Sequence, residues 1–298
     1  MSSMIFDSRA LIMHLQRAVR SGYADFLFER ITDDLLERLA PVMRSYDKAI
    51  DIASPVSQAA AFLEHSLKIG SVDRLSIIKE DNAFEIADEN TPLPDNMGNY
   101  DLAFSLLALH AVNDLPGALI RICRLLKPDG LFIGCLFGNE TLTELRQSFL
   151  LAEADEESGM GISPHIAPFA DIRNLGDLLQ RAGFTLPVSD HERITIRYAD
   201  PFALMADLRA MGMTNALTDR AKKPLRRKTL FKMADIYQSR FADADGKIRA
   251  TFDLIWLLGW APDDSQPKPL QPGQYSVRFE DAIKHVNRKN AKDDPDRK

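Results

Sequence analysis

Glycine is missing where a strand-to-helix turn would most use it. The run Ile50-Asp51-Ile52-Ala53-Ser54-Pro55-Val56 ends an apolar strand, and the next glycine is Gly70. A turn without glycine holds side chains against whatever approaches its backbone, and Pro55 has no N–H to offer. Cysteine is scarce too. Cys123 and Cys135 both lie in apolar runs, so buried thiols are expected, with neither a disulfide nor a metal-binding spacing. A net charge of −6 argues against general nucleic-acid binding, which favours a basic surplus. No apolar stretch approaches the roughly 18 residues that span a bilayer. The start, Met1-Ser2-Ser3-Met4-Ile5-Phe6, lacks the charged head and apolar run of a signal peptide, and the expected location is the cytoplasm.

What is present describes an ordinary globular chain: 298 residues, 45% apolar and 27% charged. Residues 1–46 read as a helical preface, with Leu11, Leu15 and Ala18 and then Leu35, Leu36 and Leu39 at helical spacing. Thr32 or Asp33 is the expected cap of its second helix. From 47 to 200 short apolar strands (49–53, 74–78, 100–106, 131–137) alternate with helical runs (57–68, 115–126, 142–154). That alternation predicts an α/β fold with a mostly parallel sheet covered on both faces. Lys127-Pro128-Asp129-Gly130 breaks the chain before the strand at 131, and Gly183 closes a helix over 172–182. Residues 201–249 read as a helical excursion, placed to cover a substrate. The run 251–260 is expected to be a late-joining central strand, with residues 250–280 completing the core and 281–298 a disordered tail.

Several stretches carry a resemblance. Tyr100–Pro116 resembles the fourth strand and following helix of class I S-adenosylmethionine (SAM) methyltransferases, and Leu125–Phe132 resembles their turn before strand five. Leu136–Arg146 and Ser163-Pro164-His165-Ile166-Ala167-Pro168-Phe169 are similar to a narrower branch. That branch holds the protein arginine hydroxylases that assist assembly of mitochondrial respiratory complex I, and their alphaproteobacterial relatives. The malonyl-carrier O-methyltransferases of biotin synthesis are more distant cousins. The similarity runs from Phe6-Asp7 to about residue 280.

The resemblance implies a Rossmann-like seven-stranded sheet and a SAM site whose glycine loop falls on Ala53–Val56. All its glycines are absent here. Losing two backbone donors to a carboxylate, at about 1.5–3 kcal/mol each, weakens binding by roughly two to four orders of magnitude. Ser54 or Ser57 could recover part of this. The ribose-gripping acid falls near Ile78 or Lys79, with Glu80 and Asp81 adjacent. Ala87-Asp88 matches the adenine contact, and Pro92-Leu93-Pro94 the run after it.

Candidate residues follow from position and from this match. Asp51, Ala53, Ser54, Glu80, Asp88 and Ser105 are the expected cofactor-side group, since ligands of open α/β sheets sit beyond the carboxyl ends of strands. Asp51 serves equally well as a helix cap. His110 and His165 are the catalytic candidates, as general bases or substrate-orienting groups, with a satisfied core histidine and a local turn as the plainer alternatives. Ser163 and Arg146 are candidate substrate contacts. Ser163 could instead bond local backbone, and Arg146 could pair with Glu144 or Glu153. Asp155-Glu156-Glu157 reads as a hydrated helix end rather than a metal site.

Between Arg220 and Lys232 lie seven cations and no acid. A solvated face is one explanation; docking to an acidic partner or a membrane surface is the other. Three functions stay open: a SAM-dependent methyltransferase with a remodelled loop, a protein-modifying assembly factor for respiratory complex I that acts on one of its subunits, and a non-catalytic binding platform.

Overall fold

The computed structural model describes residues 4–65, 69–80, 83–85, 99–154, 162–169 and 172–267. Two helices, α1 (Ser8–Arg20) and α2 (Phe26–Leu39), precede β1 (Tyr46–Ile52), α3 (Gln58–Glu64), β2 (Ile69–Ser76) and the two-residue β3 (Phe84–Glu85). Then come β4 (Tyr100–Leu106), α4 (Leu115–Leu125), β5 (Leu126–Phe137), α5 (Thr143–Ala154), α6 (Ile172–Arg181) and β6 (Thr185–Tyr198). The chain ends its fold with α7 (Pro201–Ala210), α8 (Arg227–Phe241) and β7 (Ile248–Trp260). Residues 263–267 close a short turn of their own, in which the Ser265 N–H donates to Asp263.

The seven strands form one sheet in the order β3-β2-β1-β4-β5-β7-β6. Pairs from β3 to β5 are parallel, while β7 runs antiparallel to both β5 and β6. The expectation of a late-joining central strand is met by β7, which inserts between its two neighbours. Successive residues face opposite sides of the sheet, and both sides are apolar. On one side Ala49, Phe104, Ile133 and Trp256 pack with α2, α3, α5 and α8. On the other Ile50, Ala103, Phe132 and Leu257 pack with α4 and α6.

Three local expectations change. The second helix begins at Phe26, so Thr32 lies inside it and donates its hydroxyl to the Phe28 carbonyl at 2.8 Å. Lys127–Gly130 falls within β5 as an irregularity of the ladder, with Asp129 at φ 62°. The excursion after 200 is two helices separated by residues 211–226, and Gly212 at φ 75° ends the first. A β-carbon there would meet the Leu15 Cα at 3.2 Å, so glycine also lets α1 approach.

Candidate active site

The chain crosses over between β1 and β4, and ligands of such sheets sit beyond the strand ends at this switch point. Ala53 leaves β1 at φ 59°, a left-handed conformation that costs a non-glycine residue about 1–2 kcal/mol. The turn thus takes a shape suited to glycine without having one. Its N–H is bonded to the Leu75 carbonyl at 2.9 Å.

Beneath the turn lies a buried polar network centred on Arg74 of β2. Asp51 and Arg74 are register partners, so their side chains leave adjacent strands on one face and form an ion pair. Arg74 also donates to the Val56 carbonyl (3.0 Å), the Ser54 carbonyl (3.2 Å) and Glu80 (3.3 Å). Ser54 donates its hydroxyl to Asp51 and accepts the Leu106 N–H at 3.1 Å, tying the turn to the end of β4. Ser76 donates to Glu80 at 3.1 Å, and Ser105 to the Ile52 carbonyl at 2.7 Å. Burial pushes the Asp51 carboxyl up to about 6, against the pull of Arg74 and of the Ser54 hydroxyl.

Above the turn is a cavity of about 240 Å³. Its lining includes Ile52, Ala53 and Pro55 of this turn, together with His110, His165 and Phe169. Of the expected cofactor-side residues, Ala53 faces this space, while Asp51, Ser54, Glu80 and Ser105 are engaged in the bonds below it. Asp88 lies outside the described residues, as do the acidic run at 155–157 and the tail from 268.

Both histidines line the cavity, in different settings. His110 occupies a 3-10 turn (Leu109–Ala111) after β4, its ring edge-on to Phe137 (4.8 Å between centroids) and Phe169 (5.6 Å). Among the described residues its Nδ1 has no hydrogen-bond partner, and burial lowers its pKa to about 4. An imidazole held neutral in this way takes a proton poorly. His165 stacks on Phe149 at 4.0 Å, and its Nε2 meets a Glu153 carboxylate oxygen at 2.6 Å. The other Glu153 oxygen accepts the Ser163 N–H at 2.9 Å, so one carboxylate holds the whole 163–165 turn.

Ser163 accepts the Ala221 N–H at 3.0 Å, and Asn215 donates to the Pro164 carbonyl at 2.8 Å. Arg146 bonds neither Glu144 nor Glu153. It donates to the Asn139 (3.1 Å) and Thr141 (3.2 Å) carbonyls, closing the turn after β5. Meanwhile Glu144 accepts the N–H and hydroxyl of Thr251.

Three residues escaped the reading of the sequence. Arg74 left a signal there: a lone cation inside an apolar strand needs a carboxylate at hand. Glu153 left none, being one acid among several on an amphipathic helix. Asn113 left none either. It holds the N-terminal strand of the cavity wall by accepting the Phe6 N–H (2.8 Å) and donating to the Phe6 carbonyl (3.1 Å).

A family model described as a methyltransferase domain matches residues 23–187, from just before α2 into β6. The chain belongs to this methyltransferase-domain family. Within the family it is similar to the mitochondrial arginine-hydroxylase NDUFAF5 of Danio rerio, 37% identical over 277 residues, covering 89% of this chain and 84% of that protein. It is also similar to the malonyl-[acyl-carrier protein] O-methyltransferase of Xylella fastidiosa, 33% identical over 259 residues, covering 86% and 83%. Among solved structures the YcgJ protein of Bacillus subtilis aligns with a TM-score of 0.51 at 13% identity, covering 78% of this chain and 99% of that one. This likeness establishes the shared fold.

Proposed function

We propose that the protein modifies a side chain of a protein substrate, on a methyltransferase scaffold that binds SAM weakly. The observation that carries this reading is the end of β1. Pro55 supplies no N–H, the Ala53 N–H is taken by Leu75, and the acid expected to grip a ribose, Glu80, is bonded to Arg74 and Ser76. The cavity has room beside this turn, but Pro55 and the bonded Ala53 N–H leave it two donors short for the charged end of an amino-acid-bearing nucleoside. The residues fit that group poorly.

The chain's own residues supply binding and positioning. The His110 ring borders the cavity beside Phe137 and Phe169 and can orient the acceptor by ring contact. His165, oriented by Glu153 through Nε2, has Nδ1 left to hold or pass a proton. Similarity to the arginine-hydroxylases over most of both chains supports a protein acceptor, and we infer a subunit of a respiratory complex. Mass spectrometry of the respiratory-complex subunits, with the gene intact and deleted, tests this. The reading requires one arginine-bearing peptide to lose a modification on deletion, and to regain it with wild type but not with His165→Ala. Unchanged subunits refute it.

A second reading, a binding platform without catalysis, draws on the same turn, because Asp51, Ser54 and Glu80 are all committed to structure. It predicts that His165→Ala complements deletion as fully as wild type does.

A further inference from the structure

The cationic run that leads into α8 is held firmly at its base by Arg220. Arg220 donates to Asp7 (2.9 Å) and to the Leu217 carbonyl (2.7 Å), and the Ala221 N–H is bonded to Ser163. From Ala221 to Lys228 every residue is exposed. Within this stretch the side chains of Lys222, Lys223, Arg226, Arg227 and Lys228 form no hydrogen bond or ion pair among the described residues. The nearest acids in sequence, Asp219 and Asp235, stand outside the run at either end.

Apolar groups share this surface. Leu225 is 38% exposed and Phe231 57%. One helical turn separates Phe231 from Arg227 and Lys228, so α8 presents the ring and both charges together. Phe202, at the start of α7 and 40% exposed, brings its ring within 6.0 Å of Phe231. Met233 and Tyr237 on the opposite side of α8 are buried in the core, which fixes this outward face.

We propose that residues 221–232 together with Phe202 dock the protein peripherally on an anionic lipid surface. Charge complementarity selects the occupant. Unpaired cations around exposed phenylalanine and leucine match phosphate headgroups above an acyl boundary, which takes both without a shaped pocket. A nucleic acid would satisfy the cations but leave Phe202, Leu225 and Phe231 in water, whereas an acyl boundary buries them. No helix among the described residues is long and apolar enough to cross a membrane, so the contact is with the surface. Asn215, Ala216 and Leu217, which line the cavity, lead directly into the run, and a docked membrane therefore lies beside the cavity wall.

Sedimentation of the full chain with vesicles tests this, using phosphatidylcholine alone or with about 30% phosphatidylglycerol. Binding is expected only to the anionic vesicles, and it should fall steeply between about 50 and about 500 mM salt. Replacing Arg226, Arg227 and Lys228 together by glutamine should weaken partitioning by about a hundredfold, at roughly tenfold or less per cation. Phe231→Ser should weaken it several-fold in a way that salt does not erase. Both variants should melt as wild type does, because the changed side chains are exposed. Equal binding to neutral vesicles, no binding to anionic vesicles at low salt, or unchanged binding by the triple variant would overturn the proposal. So would binding to polyglutamate without binding to vesicles, which would assign the run to an acidic protein partner.

Discussion

Arg74 meets Asp51 across the β1–β2 pair in an ion pair closed to solvent, the two residues being 6% and 0% exposed. Removing one member of such a pair strands the other charge in the interior. Arg74→Met should therefore cost about 3–5 kcal/mol of unfolding free energy, read from urea denaturation. Asp51→Asn combined with Arg74→Met should cost clearly less than the two single changes added together. Additive losses would show that the two groups do not depend on each other.

His110 sets a pH dependence of the opposite sense to Asp51. An ordinary histidine takes up its proton near 6.5, and burial holds His110 to about 4. Between those values the unfolded chain binds the extra proton, so this contribution is complete above about 6.5 and is lost as pH falls towards 4. At most it amounts to about 3 kcal/mol. His110→Gln should flatten that part of the stability–pH curve, and NMR titration of the wild-type ring should show no protonation down to about pH 5.

Asn113 grips both backbone groups of Phe6, and a short ladder from the 216–218 stretch completes the strap: Asp7 N–H to the Ala216 carbonyl and Thr218 N–H to the Ile5 carbonyl, each at 2.8 Å. Asn113→Ala leaves two partly buried groups unpaired, for a loss of about 1–3 kcal/mol. Hydrogen exchange should quicken first at Phe6, Asp7 and Thr218. Exchange unchanged at those amides would mean that packing of the Phe6 ring alone holds the strap.

Ala53→Gly should stabilise the protein by up to about 1 kcal/mol, because relief of the left-handed conformation exceeds the entropy glycine adds to the unfolded chain. A shift of the urea midpoint to higher concentration checks this.

The sheet was legible because its strands are apolar on both faces. Tyr100–Leu106 reads as a strand from composition alone, and the continuous run to Trp260 marks β7 as interior. The edge strand β6 was harder to read, since Ser189, Asp190 and His191 are exposed polar residues that interrupt the pattern. Local sequence puts His110 after β4 and His165 in a proline-bound turn. What could not be read was which polar groups would bond to one another. Arg74 with Asp51, Glu153 with His165 and Asn113 with Phe6 are contacts set by strand register and by the packing of distant segments.

Isothermal titration of the full chain with SAM bears most directly on the account of the β1 turn. The account predicts no saturable heat up to about 1 mM for the wild type, and at least about tenfold tighter binding when Ala53→Gly and Pro55→Gly restore bare backbone and one N–H donor. A micromolar dissociation constant for the wild type would contradict it.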